Sequence, residues 1–136
     1  MRGSFVLSIL LACHLLAGCV SPRARCRIAV ANATDAALSS VVVRDEAGTV
    51  YAFAGLSPHC VAPYVPARSD MGASVIVEVT SGDGVVVTNA VRLDRQVPCT
   101  LDVRVLFQVQ TNAQVRAFVL QTRDDRSPTL RTVAAA

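Results

Sequence analysis

Apolar and polar residues alternate along most of this chain with a period of two, the spacing at which successive side chains fall on opposite faces of an extended backbone. Cys26, Ile28 and Val30 share one face of a first strand, and Asn32 to Ala37 supplies the turn after it. Leu38 to Arg44 contains Val41, Val42 and Val43, and adjacent β-branched side chains favour strand over helix. Asp45-Glu46-Ala47-Gly48 turns the chain into Thr49 to Ala54, completing a hairpin. Val75, Val77 and Val79 alternate with Ser74, Ile76 and Glu78, and Ser81-Gly82-Asp83-Gly84 leads back through Val85 to Leu93. Glycine there tolerates the positive φ of a tight hairpin, and aspartate bonds its own backbone. The clearest alternation puts Leu101, Val103, Val105, Phe107 and Val109 on one face; Thr111 to Gln114 turns, and Val115 to Gln121 pairs back. About seven strands and no helix in the body predict an all-β, antiparallel β-sandwich.

Three stretches break the alternation. Residues 55–72 contain Pro58, Pro63 and Pro66, and proline lacks the donor a central strand needs. This longest irregular loop collects His59, Cys60, Tyr64 and Arg68, and is where a recognition surface is expected, carried by His59, Tyr64 and Arg68. Residues 123–136 are polar at first, carry Pro128, and are expected to form a mobile tail. At the other end, Phe5 to Leu16 is an apolar run interrupted only by small or weakly polar residues, with Arg2 before it and small residues after it. This run is short of the roughly 20 residues that span a bilayer as a helix, and its flanks have the layout of a secretory signal. The chain therefore divides into a signal peptide at 1–18, a tether at 19–25, a sandwich domain at 26–122 and the tail.

The residues that end the signal, Leu16-Ala17-Gly18-Cys19, resemble the lipobox of bacterial lipoproteins. The resemblance implies cleavage between Gly18 and Cys19, lipid attachment at Cys19 and anchoring by N-terminal acyl chains. Val20 stands where an aspartate would mark inner-membrane retention, so it further implies the outer membrane. A second, weaker resemblance covers about half of the remaining chain: Asn32-Ala33-Thr34, Leu38 to Val43, Asp45, Gly48, Leu56-Ser57-Pro58 and Val87 to Val91 look like immunoglobulin-like modules of bacterial envelope proteins. There the family's usual glycine after the proline is His59. Such modules share no single activity, so the likeness implies a sandwich and not a function. Asn32-Ala33-Thr34 also fits a glycosylation acceptor, but in a bacterial lipoprotein it is read as turn chemistry.

Beyond Cys19, twelve arginines face ten acidic residues and lysine is absent. The small excess is mixed in sign along the chain, which argues against a nucleic-acid partner. Arg23, Arg25 and Arg27 cluster beside the lipid and read as a solvated linker. Cys19 is consumed by lipid, leaving Cys26, Cys60 and Cys99 in a compartment that permits disulfides. A simple up-and-down strand order brings Cys60 and Cys99 to one end and predicts their pairing; a crossover between sheets would instead favour a pair with Cys26.

Catalysis has no visible constellation. His59-Cys60 could in principle supply base and nucleophile, yet neighbours in an extended chain point apart. His59 is the sole histidine after the signal, and no Cys-x-x-Cys spacing exists, so neither metal nor other cofactor is expected. Asp45 with Glu46, Asp83, and Asp124 with Asp125 lie in turns or the tail, where carboxylates are usually solvated. Tyr51, Phe53 and Tyr64 could form an exposed aromatic patch, though packing suits Phe53 better. The reading is a non-catalytic, lipid-anchored envelope binding or assembly module with a possible envelope protein partner. Its alternatives are an accessory lipoprotein of an envelope or secretion machine, and a small envelope enzyme using the His59/Cys60 loop.

Overall fold

The computed structural model describes residues 25–121 and 129–131. The signal peptide, Cys19 and the tether up to residue 24 lie outside the described residues, as does the tail apart from 129–131. Among the described residues nine strands form: β1 (Arg27–Asn32), β2 (Leu38–Asp45), β3 (Val50–Leu56), β4 (Val65–Pro66), β5 (Ser74–Ser81), β6 (Val86–Arg92), β7 (Val103–Val109), β8 (Val115–Gln121) and β9 (Thr129–Arg131). They make a five-stranded sheet in the order β4-β1-β7-β8-β9 and a four-stranded sheet in the order β3-β2-β5-β6. The expected all-β sandwich is the observed fold.

Alternation decides the core. Val41 and Val43 of β2, Val75, Val77 and Val79 of β5, and Val103, Val105, Phe107 and Val109 of β7 are all essentially inaccessible, and they meet Ile28 and Val30 of β1 in one cluster. The intervening residues face outward, so Ile76 is left half exposed. Leu101 was expected on the inward face, but it precedes β7 and is exposed. Tyr51 and Phe53 are both buried, so Tyr51 forms no exposed aromatic patch with Tyr64.

Two features depart from the sequence expectations. β1 pairs parallel with β7, from Arg27 beside Arg104 to Asn32 beside Val109, and the strands do not follow an up-and-down antiparallel order. The chain leaves β1 for the other sheet and returns, so sequence neighbours β1 and β2 lie in different sheets. Second, residues 60–67 are not a free loop. They run antiparallel along the outer edge of β1: Asn32 N donates to Cys60 O at 2.9 Å, Ala62 N to Val30 O at 2.9 Å, and Ala67 N to Cys26 O at 2.9 Å. Pro63 and Pro66 are accommodated because an edge has no further strand awaiting their missing N–H. Within the tail expected to be mobile, Thr129–Arg131 pair with β8 as β9 and cover that edge.

Three hairpins share a closing pattern. Asp45 N donates to Thr49 O, Ser81 N to Val85 O, and Gln110 N to Gln114 O. The fourth residue of each has positive φ: Gly48 at 83°, Gly84 at 85° and Ala113 at 56°. Glycine takes this conformation freely, whereas an L side chain is strained in it. Ala113→Gly is therefore expected to stabilise the domain by about 1 kcal/mol, read as a higher urea midpoint with unchanged slope.

Candidate functional site

Arg25 and Cys26 mark the end at which the chain enters the domain. Six residues later β1 ends at Asn32, so the two ends of the sandwich are about 20 Å apart at the usual strand rise. The far end gathers the β1–β2, β5–β6 and β7–β8 turns and the start of the β3–β4 connection.

Asn32 organises the first of these. It is buried, yet its amide is fully engaged. Oδ1 accepts from Thr34 N at 3.0 Å and lies 2.7 Å from Thr34 Oγ1, which also lies 2.9 Å from Ala36 O and accepts from Ala36 N at 3.3 Å. Nδ2 donates toward Ala36 O at 2.8 Å, Ser57 O at 3.2 Å and Leu56 O at 3.3 Å. The turn reading of Asn32-Ala33-Thr34 thus holds locally. The side chain also ties the β1–β2 turn to the end of β3 in the opposite sheet.

Beside this knot opens a cleft of about 990 Å³. Leu38, Val87 and Val109 provide apolar lining, Asp35 and Asp83 lie at its edge, and Thr111 to Ala113 close one side. Asp83 Oδ1 also accepts from Val85 N at 3.2 Å, fixing the β5–β6 turn. Val85 and Val86, which precede the lining residue Val87, are each 54% exposed, and Val86, alternating with Val87 along β6, faces away from the cleft. Asn89 Nδ2 donates to Ala113 O at 2.8 Å, holding the β7–β8 turn against β6. The wall is therefore braced from both sheets. The volume lies at the upper end of the range of ligand pockets, and the cleft is open to solvent on one side.

The candidate recognition residues do not converge. His59 lies at the far end, its Nε2 2.7 Å from Asp35 Oδ1. Both side chains are largely exposed, and surface pairs of this kind contribute little stability. His59 thus meets an acid at the rim of the cleft. Tyr64 sits partway along β1 with the Arg104 guanidinium 5.3 Å from its ring centre. Arg68 reaches the near end, 5.0 Å over the ring of Tyr51, donating from its backbone N to Tyr51 Oη at 2.9 Å and from its guanidinium to Val50 O. The extended course of 60–67 beside β1 is what spreads them out.

That course also separates the expected disulfide partners. Cys60 lies against Asn32 at the far end of β1, whereas the carbonyl of Cys99 accepts from Cys26 N at 3.0 Å at the near end. The Cys60–Cys99 pairing is corrected accordingly: the crossover puts Cys99 beside Cys26. Asp70 Oδ1 accepts from Cys99 N at 2.8 Å, and this bond, with a second from the Cys99 thiol, lowers the Asp70 pKa.

A second polar knot lies at the near end. Asp45 was expected to be solvated, yet it is buried: Oδ1 accepts from Thr49 N and Oδ2 from Ser69 Oγ, both at 2.9 Å. Ser69 Oγ is in turn 2.7 Å from Thr49 Oγ1. This carboxylate closes a hairpin and pins the 67–73 segment to it. Among the described residues no three His, Cys, Asp or Glu side chains converge as metal ligands.

No protein-family model and no curated protein matches the chain. Among solved structures, an NMR structure of a protein from Eubacterium rectale matches with a TM-score of 0.46 and 22% identity, over 73% of this chain and 91% of that one.

Proposed function

We propose that this protein is a lipid-anchored binding module of the bacterial envelope, attached through Cys19 and holding a segment of an envelope protein in the far-end cleft. The observation that carries the reading is the placement of the cleft: it opens about 20 Å along β1 from the point where the tether enters. With six tether residues from Val20 to Arg25 extended, the cleft would reach up to about 40 Å from the bilayer surface. Anchoring by the acyl chains raises the local concentration of the cleft near envelope partners, so a weak contact suffices. The lining favours a peptide that offers one apolar side chain to Leu38 and Val87 and one cationic group to Asp35 and Asp83.

An accessory-subunit role in a larger envelope machine is a second reading, favoured by β6. This strand ends its sheet and runs seven residues without proline, and among the described residues none pairs with its outer edge, which suits strand addition.

A photo-crosslinking residue placed in living cells at Asn112, at Thr88 or at Ala47 separates these readings. The expected result is a discrete protein adduct from Asn112 that disappears when Asp83 is changed to lysine, with none from Ala47 at the near end. Adducts from Thr88 alone would transfer the role to the β6 edge, and adducts from Ala47 alone would overturn both.

A further inference from the structure

We infer that Cys26 and Cys99 are joined by a disulfide bond in the exported protein, fastening the start of the first core strand to the connection that precedes β7. The inference rests on the export reading above. Its geometric basis is independent of that reading.

Cys99 O accepts from both Arg25 N, at 2.9 Å, and Cys26 N, at 3.0 Å. With standard backbone dimensions, the second contact limits the separation of the two Cα atoms to about 6.9 Å, a value reached only if the linking atoms were collinear. Disulfides span roughly 4.4–6.8 Å between Cα atoms. The side chains also share surroundings: Cys26 is fully buried in the core cluster, and half-buried Cys99 packs against that same cluster. Cys60 is exposed at the other end of β1 and has no cysteine beside it among the described residues.

The chemistry suits a structural bond. Burial, with the neighbouring Cys99 adding to it, pushes the Cys26 thiol up to about 11, and a hydrogen bond to Asp70 raises Cys99. Thiols held protonated are poor nucleophiles, which disfavours a rapidly cycling redox pair. Formation needs an external disulfide as oxidant, a dithiol oxidase of the exported compartment or oxidised glutathione. The more accessible Cys99 thiolate attacks the oxidant, expelling one thiolate and leaving a mixed disulfide. The Cys26 thiolate then attacks Cys99 Sγ and releases the second thiol. Two electrons and two protons pass to the oxidant, whose disulfide becomes two thiols.

The test uses the full chain from two sources. One is trapped by acid and alkylated in its own cells; the other is purified, reduced and incubated with oxidised glutathione. Cleavage after Arg25 and Arg27 isolates Cys26 in a dipeptide, so the bond reads as that dipeptide's mass added to the 96–104 peptide. The expected result is this linkage in both samples, with Cys60 alkylated. Reduction should then lower Tm by roughly 10 °C or more, a loss Cys99→Ser reproduces without further response to reductant.

The reduced protein should lose more stability than the oxidised one as pH rises from 9 toward 11. Its folded state keeps the Cys26 proton after the unfolded chain has released it, so this contribution is complete below the unfolded pKa and gone above the folded one. Linkage with glutathione but free thiols in cells would uphold the pairing and overturn export. Failure with glutathione, or a bond that includes Cys60, would overturn the pairing itself.

Discussion

Asn32→Ala is expected to destabilise the domain by about 3 kcal/mol, although it removes no part of the apolar core. The wild-type amide answers groups from two sheets: the β1–β2 turn through Thr34 and Ala36, and the end of β3 through Leu56 and Ser57. Alanine removes the side-chain donor to the Leu56 and Ser57 carbonyls and the acceptor for the Thr34 N–H, at a position where the native side chain is only 1% exposed. Leaving buried polar groups unsatisfied costs about 1–3 kcal/mol each, and partial entry of water offsets some of the total. Urea unfolding measures the loss directly, and a change below about 1 kcal/mol would mean that the turn satisfies itself without Asn32. Asn32→Asp adds a diagnostic. Its carboxylate can still accept from Thr34 but would face the carbonyls of Ala36, Leu56 and Ser57 with negative charge. Those neighbours raise the folded pKa of the new acid, so its protonated form is favoured on folding. The variant's deficit relative to wild type should therefore shrink as pH falls through that pKa.

Phe107→Ala is the second large effect, at about 3–5 kcal/mol. Phe107 is the largest fully buried side chain, and it belongs to the central strand β7. Across the strand pairings it faces Val30 on β1 and Ala117 on β8. Ala117 is small, and the ring occupies space that neither neighbour could fill after its removal. The alanine variant loses the transfer energy of the ring and adds a cavity, whereas Phe107→Leu keeps most of the volume and should cost about 1.5 kcal/mol or less. In a domain of this size the alanine change corresponds to a fall in Tm of roughly 15 °C or more. Similar Tm losses for leucine and alanine would show that the site needs the ring's shape and not its volume.

The sequence made these core positions legible because period-two alternation is a local signal. Val75, Val77 and Val79 face inward while Ser74 and Ile76 face out, as the pattern requires. Which strands become neighbours is settled by contacts between distant segments, and there the local signal ends. Nothing in Arg27 to Asn32 announces a parallel partner more than seventy residues on. The prolines at 63 and 66 read as loop markers, although an edge accepts them equally well. From these two gaps follow the reversed cysteine pairing and the dispersal of His59, Tyr64 and Arg68.

The cleft was missed for the same reason. Its walls come from Thr34, Asp83 and Asn112, three turns far apart in sequence, each recognised as a turn and none as part of a site. Asp45 was misjudged because a carboxylate in a hairpin looks solvated until Ser69, from another segment, arrives beside it.

The position of β1 bears on mechanical load. If the N-terminus is held at a membrane and a partner pulls on the far-end turns, the force runs along β1 itself. Hydrogen bonds to β7 on one side, and to the 60–67 segment on the other, then lie across the line of force. They must yield together in shear, where a strand pulled from its hairpin end would peel open one bond at a time. A chain so arranged would carry tension between bilayer and partner without unravelling from its anchored end.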